Sequence, residues 1–214
     1  MEPSSHTPRR SDAQRNRERI LEVALTELMR SHDVPLSVIA KKAGVGQATF
    51  YRNFATRETL VLEVYRRELR QLTDSAAELL KTREPDRALR AWMDRLAQYA
   101  MAKTGLAGAL SQATSATGGP TKAGHPLLLA AIGLLLDANH EAGTIRPGLT
   151  ADDFALAIAG VFQIDPNGDW QTRSTRLLDL VMDGLRAGAP AGRAGGGAAR
   201  DEGPAAHPRS SPDP

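Results

Sequence analysis

The chain has 214 residues, of which 41% are hydrophobic and 24% are charged, with a formal net charge of +2 and no cysteine. This length allows one large domain or two small ones with buried cores, and the absence of cysteine excludes disulfide bonds and thiolate metal sites. No apolar segment is long enough for a secretory leader or a membrane span, so we expect a cytoplasmic protein that does not bind a membrane.

Positive charge is concentrated in the first third of the chain. Residues 1–67 contain 12 Lys and Arg against 8 Asp and Glu, whereas residues 68–187 contain 12 against 14. A basic segment of this kind suits binding to nucleic-acid phosphates. Residues 1–11 are polar and include Arg9 and Arg10, and we predict that they form a disordered basic arm.

A three-helix unit is predicted over residues 12–56. Its first helix covers residues 12–30 and carries one apolar stripe. Two short helices follow within residues 36–54, separated by a tight turn at Gly44, which can adopt the left-handed conformation that ends a helix. This spacing is typical of a helix-turn-helix, whose second helix lies in the major groove of DNA.

The remaining segments also have helical periodicity, so the fold class is all-α with about nine helices. Thr56 is a suitable N-cap for a long helix that reaches about residue 80. The helix expected from Pro126 to Ala142 is apolar nearly all round and should therefore be buried. The other predicted segments are helices over residues 87–103, 105–113, 151–164 and 170–187, a loop over residues 114–124, and a disordered tail over residues 188–214.

Motifs for catalysis or metal binding are weak. Asp165, Asn167 and Asp169 imitate the opening of a calcium loop, but Trp170 replaces the required glycine, so a turn is predicted. Asp137, His140 and Glu141 share a helical face without a second histidine nearby. The chain lacks the common nucleophile, zinc-protease and nucleotide-binding motifs. We therefore expect no enzymatic activity, no metal and no cofactor.

Three stretches together match a known pattern. They are the run from Arg19 to Leu25, the segment from Ile39 to Phe54, and the run from Thr56 to Leu60. Over residues 15–69 the chain resembles the TetR/AcrR family of bacterial transcriptional regulators. The resemblance implies a DNA-binding domain over residues 12–56 and a helical ligand-binding and dimerisation domain over residues 57–187. Because the C-terminal domains of this family diverge strongly, the identity of a ligand does not transfer.

Candidate base-reading residues lie at the start of the second short helix. Gln47 can pair with adenine through two hydrogen bonds, and Thr49 can offer its methyl group to thymine. Arg52 could contact a base or a phosphate. Ala48 stands where the family often has glycine, which affects how closely the backbone approaches a base.

Candidate phosphate contacts surround this helix. The resemblance implies that the Tyr51 hydroxyl binds a phosphate, with a core aromatic as the alternative, and Asn53 can also bind one. Ser37 and Arg57 lie at or near helix N-termini, where backbone N–H groups favour phosphate oxygens. For Arg57 the alternative is a solvated charge.

Two further sites are predicted in the C-terminal domain. An apolar effector pocket is expected between the long helix from Thr56 and the helices over residues 87–103 and 126–142, with a solid core as the alternative. Its predicted lining is Trp92, Met93, Leu96, Tyr99 and Met101. The last two helices are expected to form a four-helix dimer interface, with packing inside one chain as the alternative. Its predicted residues are Phe154, Ala155, Ile158, Ala159, Phe162, Leu178, Val181 and Leu185.

The function predicted from these features is a DNA-binding transcriptional regulator. In this hypothesis a homodimer binds a palindromic DNA operator, represses transcription and is released by a small organic effector. The alternative is a helix-turn-helix interaction module that binds a protein or nonspecific nucleic acid without an operator or small-molecule control. A sequence-specific footprint distinguishes the two.

Overall fold

The computed structural model describes the chain over residues 7–115 and 121–190, and its side chains over residues 12–113 and 125–190. Within these ranges the elements are helical, which confirms the all-α fold class. The helices are α1 (Thr7–Arg30), α2 (Leu36–Lys42), α3 (Gln47–Asn53), α4 (Arg57–Thr82), α5 (Pro85–Gly105), α6 (Ala107–Ser115), α7 (Thr121–Glu141), α8 (Ala151–Ile158) and α9 (Trp170–Arg186), with a 3-10 helix over Ala159–Gln163. In the described part of the chain no helix is long and apolar enough to span a membrane.

Several boundaries differ from the sequence prediction. Helix α1 begins at Thr7, so residues 7–11 of the expected arm are helical, while residues 1–6 and the tail from residue 191 lie outside the described residues. Helix α7 begins at Thr121 rather than at Pro126. A proline in the second turn costs one backbone hydrogen bond, which a 21-residue helix can tolerate.

Helix α7 is also less buried than its composition suggested. Leu127 and Leu134 are 50% and 45% exposed, whereas Ile132 and Leu135 are fully buried. The expectation of a helix buried all round was therefore wrong. Helix α7 packs on α4, α5 and α8 and leaves one side open, and an apolar composition cannot say which side of a helix is covered.

The N-terminal head is a small three-helix core. Ile20 and Leu28 of α1, Ile39 of α2, and Phe50 and Phe54 at α3 are all fully or almost fully buried. Burying each of these large side chains contributes about 1.5–3 kcal/mol, so the short α2 and α3 are held by packing and not by their own propensity.

The helices from α4 to α9 form the second part of the chain, the body. Its core is formed mainly by α4, α5 and α7. Trp92 of α5 is fully buried, and its indole Nε1 donates a hydrogen bond to the Leu72 carbonyl of α4 at 3.0 Å. Asn139 of α7 is also fully buried, and its amide nitrogen donates to the carbonyls of Pro85 (2.9 Å) and Leu135 (2.8 Å). These bonds fix the mutual position of the three helices, since a buried polar group left unpaired would cost about 1–3 kcal/mol.

Ion pairs fasten the head to α4. Arg17 of α1 donates to the Glu63 carboxylate at 2.7 Å, and its guanidinium lies 4.6 Å from the centre of the Phe54 ring. Four residues further along α4, Arg67 donates to Glu18 of α1 at 2.9 Å. The first part of α1 is thereby held against the first half of α4.

Candidate nucleic-acid interface

The helix-turn-helix depends on a short turn between α2 and α3. Gly44 has a φ of +66°, the left-handed conformation that the sequence analysis predicted for the end of α2. Helix α2 starts after Pro35 without a side-chain cap, and the Pro35 carbonyl accepts from the N–H groups of Val38 (3.0 Å) and Ile39 (3.3 Å). Within the turn, the N–H groups of Gly44 and Val45 donate to the carbonyls of Lys41 and Ala40, both at 3.1 Å, so the backbone of the turn helps to set the angle between the two helices.

Helix α3 has one buried and one open side. Because Phe50 and Phe54 are fully buried, the opposite side of α3 faces solvent and carries Gln47, Ala48 and Arg52. Tyr51 is 47% exposed and meets the Phe50 ring edge-on at 5.7 Å. The alternative of Tyr51 as a core aromatic was wrong, since its outer part is available to a ligand.

The side chain of Arg52 folds back along α3 towards the preceding turn of the helix. Its Nε donates to the Ala48 carbonyl at 3.2 Å, and Nη2 donates to the Thr49 hydroxyl at 3.1 Å. The Asn53 amide donates to the Thr49 carbonyl at 2.8 Å and so closes the end of the helix. The side chains of Thr49 and Arg52, both predicted to read bases, are thus linked, and Arg52 can turn its guanidinium towards a base only by breaking these bonds.

Ser37 and Gln47 come together although ten residues separate them. They line one shallow cleft between α2 and α3, with Lys41 on the same rim. The structure thus combines a hydroxyl, an amide and an ammonium group on one open face. This face can donate to phosphate oxygens and to base edges.

Arg57 and Lys42 have partners within the protein. The Arg57 guanidinium donates to the His32 carbonyl at 2.8 Å and also to the Val34 carbonyl, which fastens the loop between α1 and α2. Lys42 donates at 2.6 Å to Glu27, which is 8% exposed. The hydrogen bond from Lys42 holds the pKa of Glu27 below its usual value. Sequence reasoning missed these roles because the partners of Arg57 are loop carbonyls and the partner of Lys42 lies 15 residues away on another helix, and neither leaves a signal in the residue pattern.

The predicted pocket residues divide into two groups. Trp92, Met93 and Leu96 have no exposed surface and belong to the solid core of the body, so the structure contradicts their prediction as pocket lining. Tyr99 and Met101 line a cavity of about 510 Å³. This cavity lies between α1, α4, α5 and the turn before α9, and not between α4, α5 and α7.

The predicted dimer residues also fall into two groups, one buried within the single chain and one at its surface. Phe154, Ile158, Leu178 and Leu185 are at most 5% exposed within a single chain, so they cannot contact a second copy. This part of the prediction was wrong because these side chains form the inward stripes of α8 and α9. Ala155, Phe162 and Val181 are half-buried and Ala159 is exposed. The sequence analysis missed Leu156 and Leu180, which are 78% and 70% exposed on the same helices.

Comparison with known proteins decides the family. The family model for bacterial regulatory proteins of the tetR family matches residues 20–64, and that for the C-terminal domain of SbtR-like transcriptional regulators matches residues 84–187. A crystal structure of the TetR transcriptional regulator SCO0520 from Streptomyces coelicolor is 41% identical, with a TM-score of 0.74, and the match covers 79% of this chain and 98% of that one. The chain belongs to the TetR family.

A second solved TetR regulator supports the same assignment. The TetR transcription regulatory protein from Mycobacterium vanbaalenii is 32% identical with a TM-score of 0.69, and the match covers 84% of this chain and 99% of that one. No curated protein sequence matches the chain. The predicted family is confirmed, and with it the class of helix-turn-helix transcriptional regulators, which as a family are generally not enzymes.

Proposed function

We propose that this TetR regulator is a repressor that binds a palindromic operator as a homodimer and leaves it when a small organic effector binds. The main support is the arrangement of α3. Two buried phenylalanines, Phe50 and Phe54, hold the helix, and Gln47, Tyr51 and Arg52 stand on its open side. A rigid helix with polar side chains on one exposed face is the arrangement that reads a major groove.

Dimer formation is supported by an exposed apolar face on α8 and α9. Leu156 and Leu180 are its most exposed members, and Gly160 lies near Leu177, since a Cβ at Gly160 would lie 3.5 Å from the Leu177 side chain. Small and large apolar residues side by side allow close packing of helices from two copies. A two-fold dimer would present two copies of α3, and it would therefore require an operator with two symmetric half-sites.

The experiment is selection of bound duplexes from a random DNA pool, followed by affinity measurements on the enriched sequence. We expect a palindrome. Gln47→Ala should relax the preference at one base position in each half-site, at a cost of about 1–3 kcal/mol. Tyr51→Phe, which removes only the hydroxyl, should weaken binding to all sequences to a similar degree.

The result that contradicts the proposal is equally clear. If no sequence is enriched, the protein binds nucleic acid without reading an operator. If Gln47→Ala weakens all duplexes equally, Gln47 does not read a base. Glu78→Gln is the control, because Glu78 is an exposed residue far along α4 that pairs with Lys81 at 2.8 Å. It should leave both affinity and preference unchanged.

A further inference from the structure

The cavity between head and body has walls from four parts of the fold. Its volume of about 510 Å³ is in the range of sites that hold drug-sized molecules. The lining residues come from α1, α4, α5 and the start of α9 with the turn before it. The apolar lining includes Leu25, Met29, Leu72, Met101, Ala102 and Trp170.

The carboxylate of Glu68 lines this cavity, and it shares its positively charged partner with a second carboxylate. The side chain of Glu68 is 17% exposed, and Arg67 donates to it at 2.9 Å. The same guanidinium donates to Glu18 at 2.9 Å. One positive charge is therefore shared between two carboxylates, which leaves a negative charge at the cavity wall.

Burial makes this negative charge costly. Removal from water raises the pKa of Glu68 and the nearby Arg67 lowers it by less, so the pKa lies above its usual value, and a further positive charge beside the carboxylate would stabilise its ionised form. The other charged lining residue is Arg95, which is exposed to solvent. Its charge is screened by water and ions, whereas that of Glu68 is screened much less.

The rest of the lining suits an organic cation. Tyr99 and Trp170 provide aromatic rings, whose faces attract positive charge within about 6 Å. Met29 and Met101 provide flexible, polarisable thioethers that adapt to irregular apolar shapes. Aromatic rings, thioethers and one partly buried carboxylate together favour a molecule that is apolar and positively charged.

We propose that this cavity binds a lipophilic organic cation, with its charge beside Glu68 and its apolar body between Met29 and Trp170. The binding step is independent of DNA. Its regulatory consequence rests on the proposed function, in which an effector releases the operator.

The position of Met29 couples the site to the head. A Cβ at Gly105, at the end of α5, would lie 3.2 Å from Met29 Cγ, so Met29 already packs closely against α5. A cation whose apolar body lies between Met29 and Trp170 would press on this packed contact. Binding shifts the head to another position only if the cation binds that position more tightly than the one described.

The test uses two ions of the same size and shape with opposite charge, tetraphenylphosphonium and tetraphenylborate. Their binding to the full chain is measured by titration calorimetry, with tryptophan fluorescence as a second signal. Trp170→Phe identifies the site, because it should abolish the quenching, whereas the buried Trp92 remains. Glu68→Gln is the decisive variant, and Glu78→Gln on the same helix is its matched control.

We expect one phosphonium ion per chain, bound at least about tenfold more tightly than the borate. Glu68→Gln should weaken phosphonium binding by about tenfold, and Glu78→Gln should not change it. The proposed site would be refuted if the two ions bind equally, or if neither shows saturable binding. It would also be refuted if Glu68→Gln and Glu78→Gln change the phosphonium affinity to the same degree.

Operator binding is measured separately at saturating phosphonium. If the cation binds as expected and operator affinity stays the same, the site stands and the coupling to DNA is refuted. If the chain binds its operator and the cation does not bind, the site is refuted and the DNA-binding part of the proposed function stands. The two failures are therefore distinguishable.

Discussion

Arg57 offers the sharpest test of how the head is built. It is the first residue of α4, and its guanidinium donates to the carbonyls of His32 and Val34 in the loop before α2. The sequence analysis proposed a phosphate contact for the same side chain. The structure favours a positioning role, because two of the donors are already used inside the protein.

Arg57→Ala removes two charge-assisted hydrogen bonds. Such bonds contribute about 1.5–3 kcal/mol each when buried. Arg57 is half-buried and water can replace the guanidinium at the exposed His32 carbonyl, so we expect a total loss of about 1–2 kcal/mol. For a chain of this size that corresponds to a fall in Tm of about 2–8 °C.

The salt dependence of operator binding separates the two roles. A side chain that neutralises one phosphate contributes about 0.9 to the slope of log affinity against log salt. A positioning residue lowers the affinity and leaves this slope unchanged. The assay is therefore a thermal melt combined with binding isotherms between about 50 and 200 mM salt. Arg70→Ala, at an exposed position of the same helix, is the control for loss of a charge.

We expect Arg57→Ala to lower Tm, weaken operator binding and keep the wild-type slope. An unchanged Tm together with a slope reduced by about one unit would refute the positioning role and restore the phosphate contact.

Two further predictions concern the dimer and the junction of head and body. Leu180→Glu should give a monomer in sedimentation with its helix content intact, because it places a charge on the apolar face of α9, while the same change at exposed Leu134 of α7 should leave the dimer. Burial raises the pKa of Glu63, but hydrogen bonds from Arg66 and Arg17 hold it below its usual value of 4.5. Its stabilisation is therefore present above about pH 4.5 and is lost as the pH falls below it. Glu63→Gln should lower the free energy of urea unfolding near pH 6. Between about pH 6 and pH 4 this free energy should fall less in the variant than in the wild type, and an equal fall in both proteins would contradict the assignment.

The helix-turn-helix could be predicted from the sequence because its determinants are local. Gly44 requires a left-handed backbone, and Phe50 follows at the distance needed to pack against α1 and α2. These signals lie within a few residues of one another, so they need no knowledge of the rest of the fold.

The dimer face and the cavity could not be predicted in the same way. Helix α8 is apolar on two sides, with Phe154 turned inward and Leu156 outward. Periodicity identifies an apolar stripe, but it does not say whether the same chain or a second copy covers it. The cavity is a gap between α1, α5 and the turn before α9, and a gap between distant segments has no counterpart in the residue pattern.

The contacts of α1 indicate how an effector in the cavity would act on DNA binding. Near its start, Arg17 and Glu18 are fastened to α4, whereas Met29 near its end borders the cavity. Met29 lies 11 residues after Glu18, or about 16 Å along the helix, so a push at Met29 would turn α1 about its fastened part and would strain the bonds from Arg57 to the loop that follows α1. Glu27 bonds Lys42 of α2 at 2.6 Å, only two residues from Met29. Because this bond joins α2 to the moving end of α1, the displacement would be carried to α2 and α3, and would change the position of the recognition helix and not its shape.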